Sequence, residues 1–407
     1  MGDPLIQTTK DGNDKIPSIS TENGNYAMLL EYGLRNFLSF KEGVTVSFRL
    51  DANVPAQVSH GRDFATVMCI KGANGSGKTQ LLKGLAFLAD FATRSFSREP
   101  DDPIKVDSFY GSTAPTEFFV EFRAGHDIYR YELEATSKRV IREALFRTHK
   151  KRVLLFERQG DEVKNSTKAF DVLKSMRLRG NASILSTARQ YSVNELEVVF
   201  RFFRQFVSNV GYDGHRDRSF LDLKSVSELF ASRPDYLKFA VDFVRECDIG
   251  IDDIVITEKE IPGDKKEYWP VFLHSVDEKK VPVLVATESS GTKQLFRSLF
   301  AYYLVLKAGG VLALDEFDIY LHPHILPRLI DLFSDFERNP KSAQLIFTTH
   351  NLEIIDICGR YRTYLVNKDE NISYAYRLDE IPGDVLRNDR SLIPPYRDGK
   401  IGGVPRL

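Results

Sequence analysis

The sequence predicts an α/β fold built around a phosphate-binding loop, and three observations predict it. An apolar run, Thr66–Lys71, leads directly into Gly72-Ala73-Asn74-Gly75-Ser76-Gly77-Lys78-Thr79, and a leucine-rich helical pattern follows. A second apolar run, Val311–Leu314, ends in the acid pair Asp315-Glu316, and a third, Gln344–Thr349, ends at His350. The fold expected is an α/β phosphate-loop domain with an antiparallel β subdomain and a mostly helical insertion.

Each element follows in order. MLLEYGLRNF and VTVSFRL, after residue 27, read as two short strands, and Thr66–Lys71 as a buried third. Leu81, Leu82, Leu85, Leu88 and Phe91 recur at helical spacing behind the loop. Residues 116–135 alternate apolar and polar about a turn at Gly125–Asp127, which predicts a β-hairpin. From 136 to about 250 the pattern reads as mostly helical and basic, with 14 Lys+Arg against 5 Asp+Glu between Thr136 and Gln190. Strand-like runs return over 251–287, and helices and strands alternate to the end. The organisation expected is a leader over 1–27, a first lobe over 28–135, a mostly helical basic insertion or lid over 136–280, and a second lobe over 281–407.

Composition narrows the class. With 407 residues, 42% hydrophobic and 28% charged, the chain is an ordinary globular protein. A net charge of −1 excludes a polybasic binder held on nucleic acid by overall charge alone. Cys69, Cys247 and Cys358 are far apart and form no CxxC pair, which fits a reducing cytoplasmic compartment rather than a disulfide framework. The polar residues 1–27 carry no apolar segment of a secretory signal and read as disordered. No apolar run reaches the roughly 18 residues of a membrane span, so no membrane contact is expected.

The loop residues have definite chemical reasons. Glycines let successive N–H groups of Gly72, Ala73, Asn74, Gly75, Ser76 and Gly77 turn toward phosphate oxygens, and the following helix N-terminus adds positive potential. Lys78 is the candidate for the β- and γ-phosphates, and the Thr79 hydroxyl for Mg²⁺. Asp315 is the second candidate in the magnesium shell, and Glu316 the candidate to polarise an attacking water. His350, leaving a core strand, is placed to meet the γ-phosphate. ATP and Mg²⁺ are the cofactors implied. His322, His324 and the pair Asp252-Asp253 have no third ligand spaced with them and read as structural.

Glu288-Ser289-Ser290-Gly291-Thr292-Lys293-Gln294-Leu295 opens a helical pattern, with Ser289 standing 26 residues before Asp315. In that order the motifs resemble the ABC-type ATPase heads of the SMC/RecF class. The resemblance implies that Ser289, Ser290 and Gly291 contact a nucleotide held by another protomer, hence a homodimer or higher homo-oligomer. Ser290 replaces a usual glycine, Thr292 replaces an acid or glutamine, and the family's Q-loop glutamine has no clear counterpart in Gln80 or Gln159. Slow hydrolysis is the expectation that follows.

Asp315-Glu316-Phe317-Asp318-Ile319-Tyr320-Leu321-His322-Pro323, the opening Leu34-Arg35-Asn36-Phe37-Leu38-Ser39-Phe40 and the closing Gly399-Lys400-Ile401-Gly402-Gly403-Val404-Pro405 narrow the resemblance. Together they are similar to the RecF/SMC-like AAA ATPases of bacterial anti-phage systems, of the OLD, PARIS and abortive-infection types. Asp318 would then belong to the D-loop, and the chain would act as a sensor or switch controlling an effector nuclease. Only 57 residues follow His350, too few for a nuclease domain, so the effector is expected as a separate chain. Two alternatives stay open: a repair or recombination ATPase that clamps DNA, with a contact through the basic stretch 136–190, and an ATP-gated scaffold without catalysis.

Overall fold

The computed structural model describes residues 26–407 apart from 213, 216–220, 248–249, 263–264, 383–385, 387–389 and 405–407. The expected leader falls almost wholly on 1–25, outside the described residues, as does Pro405.

Two sheets share one long helix. Strands β1 (Ala27–Arg35) and β2 (Val44–Ser47) pair antiparallel, β3 (Val67–Gly72) departs to a second sheet, and α1 (Lys78–Arg94) follows the phosphate loop. Strands β4 (Thr116–Ala124), β5 (Asp127–Ala135), β6 (Val140–Thr148), β7 (Arg152–Gln159) and β8 (Glu162–Ser166) complete a seven-stranded sheet in the order β2-β1-β4-β5-β6-β7-β8. Short helices α2 (Ile184–Gln190) and α3 (Glu197–Arg204) lead to β9 (Phe206–Ser208), and a small hairpin, β10 (Val210–Gly211) with β11 (Gly214–His215), follows. Helices α4 (Leu223–Ser232) and α5 (Pro234–Cys247) pack on the meander β12 (Ile251–Ile261), β13 (Lys265–Val276) and β14 (Lys279–Leu284). The last third runs α6 (Ser290–Ala308), β15 (Val311–Leu314), α7 (Ile325–Ser334), β16 (Gln344–Thr348), α8 (Ile354–Cys358), β17 (Thr363–Asp369), β18 (Ile372–Arg377) and α9 (Ile393–Arg397).

The second sheet has the order β18-β17-β3-β16-β15-β9, parallel except for the β17–β18 pair. Its central strands are buried on both faces, and period-two alternation divides their side chains between two cores. Met68, Ile70, Val311, Ala313 and Ile346 join the core that holds α1 and the antiparallel sheet. Val67, Cys69, Leu312, Leu314, Leu345 and Phe347 join the core that holds α6 and α7. Helix α6 has strong local stops: the Ser289 hydroxyl caps it by accepting from Thr292 N at 3.0 Å, and Gly309 ends it at φ 71°.

The helical expectation for 136–280 fails over 140–166, which forms β6 to β8. The boundary at 136 falls inside a hairpin, since β5 pairs with β6 from Ile128↔Thr148 to Ala135↔Val140. Its basic residues had the look of a helical polar face, yet they project from the open face of the sheet into cross-strand ion pairs. Arg142 meets Glu132 at 2.9 Å and Glu157 at 2.8 Å, and Arg152 meets Glu132 at 3.3 Å. The middle of the chain is also no detached insertion, because β9 is the edge strand of the nucleotide sheet itself. At the other boundary, Ala27 already pairs with Ala124.

One ion pair in this sheet is fully buried. Glu143 and Arg158 lie 3.3 Å apart at 0% side-chain exposure. Glu143 accepts from Tyr131 Oη at 2.9 Å and from Ile184 N at 2.8 Å, while Arg158 donates to Ala182 O at 2.6 Å and Arg179 O at 2.7 Å. The pair therefore ties β5, β6 and β7 to the start of α2. Breaking it strands a carboxylate in a dry site, so Arg158→Met is expected to cost about 3–5 kcal/mol in the denaturant-unfolding free energy. A loss below about 1 kcal/mol contradicts that role.

Candidate nucleotide site

The phosphate loop begins where β3 runs out of sheet partners. Gly75 sits at φ 74° and Gly77 at φ 113°, conformations that L side chains rarely adopt. At Gly77 a Cβ would also come within 2.9 Å of Ser373 Oγ and 3.1 Å of the Phe40 ring. Lys78, 7% exposed, donates to Gly72 O at 2.9 Å and Ala73 O at 3.0 Å, so its ammonium is folded back across the mouth of the loop. Burial pushes its pKa below the ordinary lysine range, and the Asp315 carboxylate works against that shift. Ser76 Oγ is buried without a hydrogen-bond partner among the described residues.

Asp315 is the meeting point of the two halves of the chain. Its carboxylate accepts from Thr79 Oγ1 at 2.8 Å and from Thr348 Oγ1 at 2.6 Å. Its backbone is held as firmly: Asn209, which ends β9, accepts from Asp315 N at 2.7 Å and donates to Asp315 O at 2.9 Å. Glu316 follows at φ 53°, a strained conformation for a non-glycine residue, with its N–H donating to Thr348 Oγ1 at 2.8 Å. Thr348 thus uses one hydroxyl to fix both acids.

The loop after β16 is equally constrained. Asp318 accepts from His350 N at 3.2 Å and from Asn351 N at 3.1 Å. Partial burial and the nearby Lys78 charge hold the His350 pKa below the usual imidazole range. At the signature, Ser289 and Ser290 are exposed, and Ser289 Oγ lies 2.8 Å from Thr292 Oγ1. Gly291 starts α6 so close to Tyr320 that a Cβ would come within 2.9 Å of Tyr320 O.

The residue set fits a nucleotide with Mg²⁺. An orphaned Ser76 hydroxyl, glycines that leave the loop backbone open, and the hard oxygen donors of Thr79 and Asp315 suit phosphate and a small divalent cation. Among the described residues no group of three or more His, Cys, Asp or Glu could hold a metal, so the cation's remaining ligands would come from nucleotide and water.

Four contributors carried no sequence signal. Asn209 follows a three-residue strand inside a helical stretch, and Thr348 passes for one more core residue. Ser39 and Ser373 are joined at 2.6 Å, Ser373 donates to Ser76 O at 2.6 Å, and Gln80 accepts from Ser39 Oγ at 2.6 Å. Gln80 therefore ties the first turn of α1 to the β1–β2 loop, and Asn209, just past the edge strand beside β15, holds the Asp315 backbone. Removing the shared hydroxyl of Thr348 deletes its hydrogen bonds to the buried Asp315 carboxylate and to the Glu316 amide. Thr348→Val is accordingly expected to cost about 1–3 kcal/mol in unfolding free energy, with Thr348→Ser losing less than about 1. Equal losses for the two variants contradict the assignment.

Residues 67–356 match the family AAA_21, described as "AAA domain, putative AbiEii toxin, Type IV TA system". No curated protein matches the chain. Among solved structures, the SMC head domain from Thermotoga maritima is 14% identical over 88% of this chain and 100% of that one, at a TM-score of 0.45. An SmcHead bound to the C-winged helix domain of ScpA is 13% identical over 86% and 97%, at 0.47. The Smc head domain with an extended coiled coil bound to the C-terminal domain of ScpA, derived from Pyrococcus furiosus, is 14% identical over 87% and 97%, at 0.44. No helix among the described residues is long and apolar enough to cross a membrane. With the family match spanning most of its length and both acid and phosphate-loop motifs inside it, the chain belongs to the AAA_21 family of AAA-domain proteins.

Proposed function

We propose that this protein binds and slowly hydrolyses ATP with Mg²⁺ at composite sites between two or more copies. The ATP-driven change switches an anti-phage defence system whose effector nuclease is a separate chain. The observation that carries the ATPase part is the Thr79–Asp315–Thr348 joint, which gathers the phosphate loop, both acids and the His350 loop at one end of the parallel sheet. The family's description as an AbiEii-type toxin of a type IV toxin–antitoxin system supports the defence part.

The roles follow from the geometry. Gly72–Gly77 supply backbone N–H groups to phosphate, and Lys78 swings from the Gly72 and Ala73 carbonyls to the β- and γ-oxygens. Thr79 and Asp315 would hold Mg²⁺, which when bound would neutralise phosphate charge. Glu316 orients and deprotonates the attacking water, its backbone locked by Thr348. His350 donates to the γ-phosphate, and Asp318 holds the His350 backbone. Ser289, Ser290 and Gly291 of a second copy close the site, which explains why Ser289 and Ser290 stand exposed.

A DNA contact has less to rest on than the local charge excess suggested. Arg139, Arg142, Arg152, Arg158 and Arg189 are engaged by carboxylates, and Arg179 donates to the Ser95, Phe96 and Arg98 carbonyls. The exposed Lys138, Arg147, Lys150, Lys151, Lys168 and Arg177 remain for phosphate contacts.

Mixing two inactive variants separates a composite site from an intramolecular one. Lys78→Ala disables the phosphate loop and Ser289→Arg the signature, each abolishing turnover alone. A mixed dimer of the two regenerates one intact site, so an equimolar mixture is expected to recover about a quarter of wild-type ATPase activity. A mixture as inactive as its components contradicts the composite site.

A further inference from the structure

Lys71, the residue just before the phosphate loop, is 1% exposed. An apolar side chain would serve β3 better at that depth, because burial works against the ammonium charge and pushes its pKa down. Its partners explain its presence. Nζ donates to Asn351 O at 2.6 Å and reaches Thr349 O at 3.5 Å, the two carbonyls on either side of His350. Asp318 takes the amides of the same segment, His350 N at 3.2 Å and Asn351 N at 3.1 Å. The Tyr396 ring, centred 5.6 Å from Nζ, packs beside the ammonium from the C-terminal segment. A cation on the carbonyls and an anion on the amides thus grip the His350 backbone from both sides.

We propose that Lys71 is a positioning residue for His350: it fixes the peptide groups flanking the imidazole so that the ring meets the γ-phosphate in one orientation. This rests on the reading of His350 as a γ-phosphate contact in ATP hydrolysis. Lys71 Nζ is directed to the carbonyls flanking His350, and its effect passes through His350. The nearby Lys78 is distinct, since its Nζ is directed to Gly72 O and Ala73 O in the loop itself.

The test is a double-mutant cycle on the full chain with Mg²⁺ and ATP: wild type, Lys71→Met, His350→Ala and the double variant. Lys71→Met is expected to lower kcat at least about tenfold, since a small misplacement of a catalytic group is that costly. KM is expected to stay within about twofold, the signature of an interaction used in the transition state. The double variant is expected to fall within about twofold of His350→Ala alone, because both changes remove the same contact. Additive losses, an inert His350→Ala, or a raised KM with kcat unchanged would overturn the proposal. Should Lys71→Met not fold, Lys71→Gln, which keeps a polar group but loses the ammonium and its length, must show the same non-additivity. A wild type without turnover overturns this and the ATPase reading together. An active wild type with unaffected Lys71→Met overturns this one alone.

Discussion

Everything in this structure converges on the Asp315 carboxylate, held between two threonine hydroxyls that come from opposite parts of the chain. Thr79 is 236 residues upstream and Thr348 is 33 downstream, yet both reach it with hydrogen bonds under 3 Å. Hydrogen bonds to an ionised acceptor are stronger than neutral ones, and here they are made away from bulk water. Asp315 itself is 2% exposed, so each bond matters to the other. Asn209 adds a third element by holding the Asp315 backbone from the edge strand. The site is therefore a property of the assembled sheet, and no single segment contains it.

That convergence explains the shape of the two cores. The parallel sheet must be dry on both faces for its strands to end in fixed polar groups, and alternation along β3, β15 and β16 supplies one apolar set to each side. The antiparallel sheet covers α1 on one side, and its open face is closed electrically by arginine–glutamate pairs crossing from strand to strand. The same pairing consumes much of a basic excess that the local charge count had suggested for nucleic acid.

How much was legible in the sequence depended on how local each signal was. The phosphate loop, the Asp-Glu strand end, the helix opening near Ser289 and the Gly125 turn are readable because each is a short run whose backbone chemistry is self-contained. The stretch 140–166 has the charge pattern of a helical face because its arginines balance glutamates on other strands, a relation invisible along one strand. Asn209, Thr348 and Lys71 carry no such signal for a related reason. Their partners, Asp315 and the Thr349 and Asn351 carbonyls, are set by strand order, which no motif encodes.

The central claim is that two distant parts of one chain build a single phosphate and magnesium site, completed by a second copy. Its most direct test is a structure of Glu316→Gln with ATP and Mg²⁺. The account predicts phosphates within Gly72–Thr79, the cation between Thr79 Oγ1 and Asp315, and Ser289 of a second copy at the γ-phosphate. Nucleotide bound elsewhere, or a cation away from Asp315, would contradict it.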